Sequence, residues 1–175
     1  IRDLTIDSNG ALAFVGTTID TSTQQIYLSK LYTVQTTANT NLTTAPTPIK
    51  LSLPRGLEPT LGTLSTMDGK FYASMQASLG NSDQDSKSAN NFYEFSAGSS
   101  TATELSTSGG TRHVENIFAL SGSNQLFSMT YSSGSDPKLF YLDQSNNLFT
   151  SISIKLDSSQ MITSVGQFVQ SSISD

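Results

Sequence analysis

An all-β chain is predicted, made of three consecutive four-stranded antiparallel sheets and the start of a fourth. Three observations predict it. Apolar and polar residues alternate over short stretches, Gly, Asn and Asp mark tight turns between them, and the set of stretches recurs along the 175 residues. No stretch keeps helical periodicity over three turns, and β-branched Thr, Val and Ile are frequent.

The first stretch of each unit is led by an arginine. The three arginines begin Arg2-Asp3-Leu4-Thr5, Arg55-Gly56-Leu57-Glu58 and Arg112-His113-Val114-Glu115, which share the form Arg, any residue, aliphatic, then Glu or Thr. A fourth copy starts at Gln160-Met161-Ile162-Thr163, with Gln in place of Arg. The first stretch ends in a turn at Asp7-Ser8-Asn9-Gly10, Met67-Asp68-Gly69 or Ser121-Gly122-Ser123-Asn124. Asn-Gly and Asp-Gly supply the positive φ angles that tight hairpins need. A second alternating stretch follows at 11–17, 70–77 and 125–131, then a polar loop at 18–23, 78–90 and 132–137. The third stretch carries a tyrosine after an apolar residue in every unit: Ile26-Tyr27, Phe92-Tyr93 and Phe140-Tyr141. The fourth is shorter, around 49–53, 103–105 and 148–154. The units therefore run over about 2–54, 55–111 and 112–159, with a fourth beginning at 160–175, all within one region covering 1–175.

This order of elements resembles that of β-propeller repeat proteins, over nearly the whole chain. The resemblance implies that each unit is a blade and that the chain is part of a β-propeller. No family within the propellers is indicated: the Gly-His and Trp-Asp marks of WD40 blades, the double-glycine turn of kelch blades and the Asp box of sialidases are missing. Propellers close with four to eight blades, so three units and the opening of a fourth leave the ring incomplete. Either more chain exists, or two copies close a six-bladed ring, or the units pack as a sandwich or open solenoid. The first is the expectation, since the chain starts and stops inside a repeat.

Composition narrows the function. Six Lys, three Arg and fourteen acids give a net charge of −5, which argues against a nucleic-acid partner, whose affinity comes largely from phosphate neutralisation. No apolar run approaches the ~18 residues of a membrane span, so no membrane insertion is expected. Absent cysteine excludes a disulfide framework, a thiol nucleophile and any thiolate metal site. With 30 Ser and 22 Thr and few lysines, the composition points to an extracytoplasmic setting, whether secreted, periplasmic or at the cell surface. The sequon Asn41-Leu42-Thr43 reads as a chance match.

Candidate chemistry centres on the repeated segment. In a propeller, the connection from an outer strand to the next inner strand opens on the same face as the loop between strands two and three. Arg2, Arg55 and Arg112 would then ring one mouth of the channel, where guanidinium forks suit carboxylate or phosphate groups. The plainer reading pairs each arginine with an acid such as Asp3, Glu58 or Glu115, fastening blade to blade. His113 is the single histidine, which excludes multi-His metal ligation and permits one imidazole base at most; with Ser so abundant, nearby Ser106 and Ser108 say nothing of a triad. Asn81, Asp83 and Asp85 have the 1-3-5 spacing of a calcium loop, but Ser86 stands at the glycine position and Phe92 at that of the bidentate Glu. No cofactor or metal is therefore expected.

The binding residues expected on these grounds are Arg2, Arg55, Glu58, Arg112, His113 and Glu115, with no catalytic set. The expected role is a non-catalytic binding or scaffolding module engaging a protein partner or anionic ligand at the loop face. One alternative is a hydrolase or lyase of an anionic polymer, with the arginines as clamps and Glu58 or Glu115 as acid or base. Another is a subunit of a surface layer, filament or larger assembly.

Overall fold

A computed structural model describes the chain except for residues 2, 21, 23–24, 35–44, 54–57, 79–88, 108–113, 120–124, 133–134 and 154–175. The described residues form twelve strands and no helix. The first unit is β1 (Asp3–Ile6), β2 (Leu12–Asp20), β3 (Gln25–Val34) and β4 (Thr47–Ile49). The second is β5 (Glu58–Met67), β6 (Lys70–Ser78), β7 (Ala89–Phe95) and β8 (Thr103–Thr107). The third is β9 (Val114–Ala119), β10 (Leu126–Ser132), β11 (Ser135–Asp143) and β12 (Leu148–Ser153). Within each unit neighbouring strands pair antiparallel in chain order. The three units and their four-strand order therefore follow the sequence reading. The proposed fourth unit at 160–175 lies outside the described residues.

Turn chemistry explains where the strands end. Asp7 is buried, and its Oδ1 accepts the amides of Asn9 at 2.9 Å and Ala11 at 2.7 Å. Gly10 supplies the left-handed residue, at φ 81°. Between β5 and β6 the turn shrinks to Asp68 and Gly69, both with positive φ, as a two-residue hairpin requires. The Asp143 carboxylate organises the β11–β12 turn, accepting from the Ser145 amide at 3.0 Å and from Asn146 Nδ2 at 2.7 Å.

The core lies between units, not within them. Alternation sends one side of each strand to each face of its sheet, and an isolated sheet has nowhere to bury either face. Ala11, Ala13, Val15, Leu31 and Ile49 of the first unit pack on Leu64, Phe71, Ala73, Met75, Tyr93 and Phe95 of the second. The opposite face of the second unit brings Met67, Tyr72, Phe92 and Leu105 onto Ile117, Leu126, Phe140, Leu142 and Phe149 of the third. The second unit is thus covered on both faces.

Cross-strand pairing aligns the units residue by residue. Leu4–Phe14–Tyr32 lie in one row across the first sheet, Leu64–Ala73–Tyr93–Glu104 across the second and Ile117–Ser128–Phe140–Ser151 across the third. In the second and third units this row faces the preceding unit. The adjacent row faces the following unit in the first two, as Asp3–Val15–Leu31–Ile49 and Thr63–Ser74–Phe92–Leu105, and its register counterpart in the third is Asn116–Met129–Leu139–Ile152.

Two sequence expectations are corrected by this alignment. The tyrosines are not equivalent: Tyr93 faces the first unit, its counterpart in the third is Phe140, and Tyr141 stands one position on. Tyr27 pairs with Thr18, beyond a register shift and well away from that row, whose member in β3 is Tyr32. Register follows which residues are buried, so a Tyr one residue along a strand stands on the opposite face of its sheet. Nor are the sheets all separate. β12 pairs parallel with β8, making the second and third units one eight-stranded sheet folded on itself. The β8 edge, left open by a four-stranded reading, finds backbone partners there.

That outer-edge pairing repeats. At the junction of units one and two, Lys50 forms a parallel bridge with Thr101, its amide donating to Ser100 O at 2.9 Å and its carbonyl accepting from the Ala102 amide at 3.2 Å. At the next junction the pair is Ser106 with Leu148. Lys50 follows Ile49 as Ser106 follows Leu105, and Thr101 precedes β8 by the offset at which Leu148 begins β12. The two bridges occupy the same register position. The same outer-edge pairing joins unit one to two and unit two to three.

Candidate functional site

The shared orientation of the units sets which connections cluster. Parallel outer bridges orient the three sheets alike, so the β2–β3, β6–β7 and β10–β11 connections leave from one end. The β4–β5 and β8–β9 connections return to that same end, because in each unit strands one and three run together and oppose strands two and four. The described turns at 7–10, 68–69 and 143–147 lie at the other end.

Of the six residues singled out from sequence, Arg2, Arg55, Arg112 and His113 lie outside the described residues, as do Asn81, Asp83 and Asp85 and the sequon at 41–43. Glu58 is the first residue of β5 and pairs with Ser78, where the 79–88 connection begins. Glu115 falls inside the register shift between the Thr130–Val114 and Met129–Asn116 pairs, so it is the bulged residue of β9. Bulges of this kind sit at sheet rims and re-aim a side chain. β5 has its own shift between Pro59 and Leu61. Both glutamates therefore belong to the loop-bearing end, one at a strand start and one at a bulge.

The arginine-led alignment and the strand register do not coincide. Arg2 stands two residues before Leu4, Arg55 nine before Leu64 and Arg112 five before Ile117, although Leu4, Leu64 and Ile117 hold the same row. The unit length is set by connections of different size, so a motif in the linkers does not mark equivalent places in the sheets.

Several carboxylates elsewhere are committed to structure. Asp3, which sequence reading pairs with an arginine as a fastening between units, does fasten units, but through backbone. Its Oδ2 accepts the Leu64 amide of the second unit at 2.7 Å while Oδ1 accepts the Leu4 amide at 2.8 Å. Glu94 binds Lys70 Nζ at 2.7 Å and Glu104 accepts from Asn91 Nδ2 at 2.9 Å. Tyr93 donates to the Ser52 carbonyl at 3.0 Å, a second tie across the first junction. Burial, followed by the neighbouring Glu94, pushes the Tyr72 phenol well above its usual value; burial also raises that of Tyr93. The Asn146 side chain, ahead of other contributions, holds Asp143 below the usual carboxylate range.

No family model and no curated protein matches the chain. Among solved structures it is similar to a protein of unknown function from Dyadobacter fermentans, at 9% identity and a TM-score of 0.52, over 86% of this chain and 49% of that one. A second similarity is to Trypanosoma rangeli sialidase in complex with sialic acid, at 15% identity and a TM-score of 0.43, over 86% of this chain and 24% of the sialidase. The chain spans about half the length of the first of these.

Proposed function

We propose that the chain is a sector of a β-propeller acting as a non-catalytic binding or scaffolding module in an extracytoplasmic setting, with its partner or an anionic ligand engaged at the loop-bearing end. The register-identical Lys50–Thr101 and Ser106–Leu148 bridges carry the propeller reading, because sheets related by one repeated rotation, with β1 and β9 packed on either side of β5, fan about an axis. The binding role follows from where variation is allowed. The sheets hold the same rows while the connections at one end differ in length, and loops carried on a rigid scaffold are where recognition concentrates. Asp3, Asp7, Glu94, Glu104 and Asp143 are engaged by turn amides, an inter-unit amide, Asn91 or Lys70, which suits carboxylates serving the scaffold.

The test is a turnover assay with glycosides, esters and uronate polymers, run beside binding titrations with the same polymers. The expected result is no turnover, with any binding of the anionic polymers weakened by Arg55→Glu and not by Glu58→Gln. Turnover lost in Glu58→Gln or Glu115→Gln, with the fold intact by circular dichroism, would replace this reading with the hydrolase or lyase one.

A further inference from the structure

The turn between β1 and β2 carries chemistry that the scaffold does not use. Asn9 is the only asparagine in the sequence followed by a glycine. Asparagine is a thermolabile residue because the backbone nitrogen of the next residue lies within reach of its Cγ, and glycine has no Cβ to hold the two apart. Asn9 is exposed in the turn at 7–10, so water reaches it and ammonia can leave.

Other asparagines are placed differently. Asn91 donates through Nδ2 to Glu104 at 2.9 Å and precedes Phe92, which is fully buried in β7. Asn146 donates through Nδ2 to Asp143 at 2.7 Å and precedes a second asparagine. Asn147 precedes Leu148, which begins β12 and pairs with Asp143.

The Asn9 turn is also a contact between units. Asn9 Nδ2 lies 3.4 Å from where a Cβ on Gly69 would stand, so this turn rests on the two-residue turn of the second unit, beside exposed Asp68. Asp7 holds the turn from beneath. Its carbonyl accepts the Gly10 amide at 3.1 Å and its own amide donates to Ala11 O at 2.9 Å, while its Oδ1 binds the Asn9 and Ala11 amides. Ala11 is fully buried and belongs to the core shared with the second unit.

We propose that Asn9–Gly10 is a self-modifying site whose conversion loosens the first junction at the end that carries the turns. The Gly10 nitrogen bonds to Asn9 Cγ while the Cγ–Nδ2 bond breaks, and ammonia departs with the Gly10 amide proton. The cyclic imide then takes up one water. Opening at Cγ leaves an aspartate at position 9. Opening at the main-chain carbonyl leaves an isoaspartate, with the chain routed through Cβ and Cγ. Both products add a negative charge beside Asp68, lowering the net charge of −5 by one. Isoaspartate also lengthens the main chain by one carbon between Asp7 and Ala11, so the backbone bonds of Asp7 to Gly10 and Ala11 no longer share one geometry. The Gly10–Asp7 bond must open before the attack, which makes the folded turn the brake on the reaction; exposed turns open locally at low cost.

The test is ageing of the purified chain at physiological temperature, followed by site-resolved peptide mass spectrometry, with amide exchange read on fresh and aged protein. Asn9→Gln, whose side chain would need a larger ring, is the blocked variant. Fresh Asn9→Asp supplies the charge without the extra carbon. The proposal expects Asn9 to lose its amide ahead of Asn91, Asn146 and Asn147, giving a mixture of aspartate and isoaspartate. Exchange should rise at the Ala11 and Leu64 amides, which Asp7 and Asp3 hold, in the aged chain. The rise should be smaller in fresh Asn9→Asp and absent in aged Asn9→Gln. An Asn9 that keeps its amide, or loses it no sooner than the other three, overturns the proposal, as does a converted chain that exchanges as the fresh one does.

Discussion

The two junctions share a register and differ in nearly everything that fills it. Between units one and two, small residues of the first sheet (Ala11, Ala13, Val15) meet large ones of the second (Phe71, Met75, Phe95). Besides the Lys50 backbone bridge, polar ties run there from the Leu64 amide to Asp3 and from Tyr93 to Ser52 O. Between units two and three, aromatic residues stand on both sides, and Phe92 stacks on Phe149 with ring centroids 4.1 Å apart. The position held by Phe149 is held at the other junction by Ala102. Backbone pairing therefore fixes how one sheet follows another, and side chains need only sum to the right volume, as close packing demands.

The comparison breaks hardest at Phe149. Phe149→Ala removes a fully buried ring and should cost about 3–5 kcal/mol, read as a drop in the urea midpoint, with amide exchange rising first in β8 and β12. Ala102→Gly, at the matching place, should cost far less.

The next test sharpens the small-against-large rule at the first junction. A Cβ added at Gly62 would fall on Met75 Sδ and come within 3.3 Å of Val15 Cγ2. Gly62→Ala should destabilise by about 1–3 kcal/mol through overpacking. Because the Met75 side chain is the obstacle, Gly62→Ala with Met75→Ala should be less harmful than the sum of the two alone.

Removing the polar tie is smaller. Asp3→Ala leaves the part-buried Leu64 amide unpaired and should cost about 1–2 kcal/mol, with Asp3→Asn restoring much of the loss. A scaffold in which Asp3 paired only with an arginine would not be rescued by Asn.

The smallest expected effect is a pH dependence at each junction. Tyr72 belongs to the second and Tyr93 to the first, and burial raises both phenols above their usual value. A raised folded value means stability fully present below the unfolded value of about 10 and lost as pH climbs past it, because the unfolded chain releases the proton first. Tyr72→Phe should flatten the alkaline limb of a stability–pH curve, and Tyr93→Phe should flatten it too while lowering the whole curve through loss of the bond to Ser52 O.

Much of the fold was legible because turns and alternation are local. Asn9-Gly10 and Asp68-Gly69 announce their hairpins through the backbone angles that only such residues take readily. The stretches at 70–77 and 125–131 alternate strongly enough to place β6 and β10 to within a residue or two. What sequence did not show was equivalence between units. The arginines recur at regular sequence distances, yet they precede the Leu4, Leu64 and Ile117 row by different lengths. A bulge in β5 and another in β9 shift the count, and a bulge leaves little trace in an alternating pattern. The Lys50–Thr101 and Ser106–Leu148 bridges are backbone contacts between residues far apart in the chain, and no side-chain type encodes them. Of the site, Glu58 and Glu115 belong to the loop-bearing end, and Asp3 fastens units through the Leu64 amide. A backbone acceptor of that kind has no signature beyond an Asp at the mouth of an edge strand.

The account depends on one operation relating all three units, and disulfide trapping measures that directly. The chain has no native cysteine, so Lys50→Cys/Thr101→Cys and Ser106→Cys/Leu148→Cys each introduce a single pair, at bridge positions whose close backbone approach suits a disulfide. Mild oxidation should close both pairs within one chain, at similar rates and with native circular dichroism. Closure of one pair while the other stays free would mean that the junctions differ in register, and the repeat and the fan of sheets would go with it.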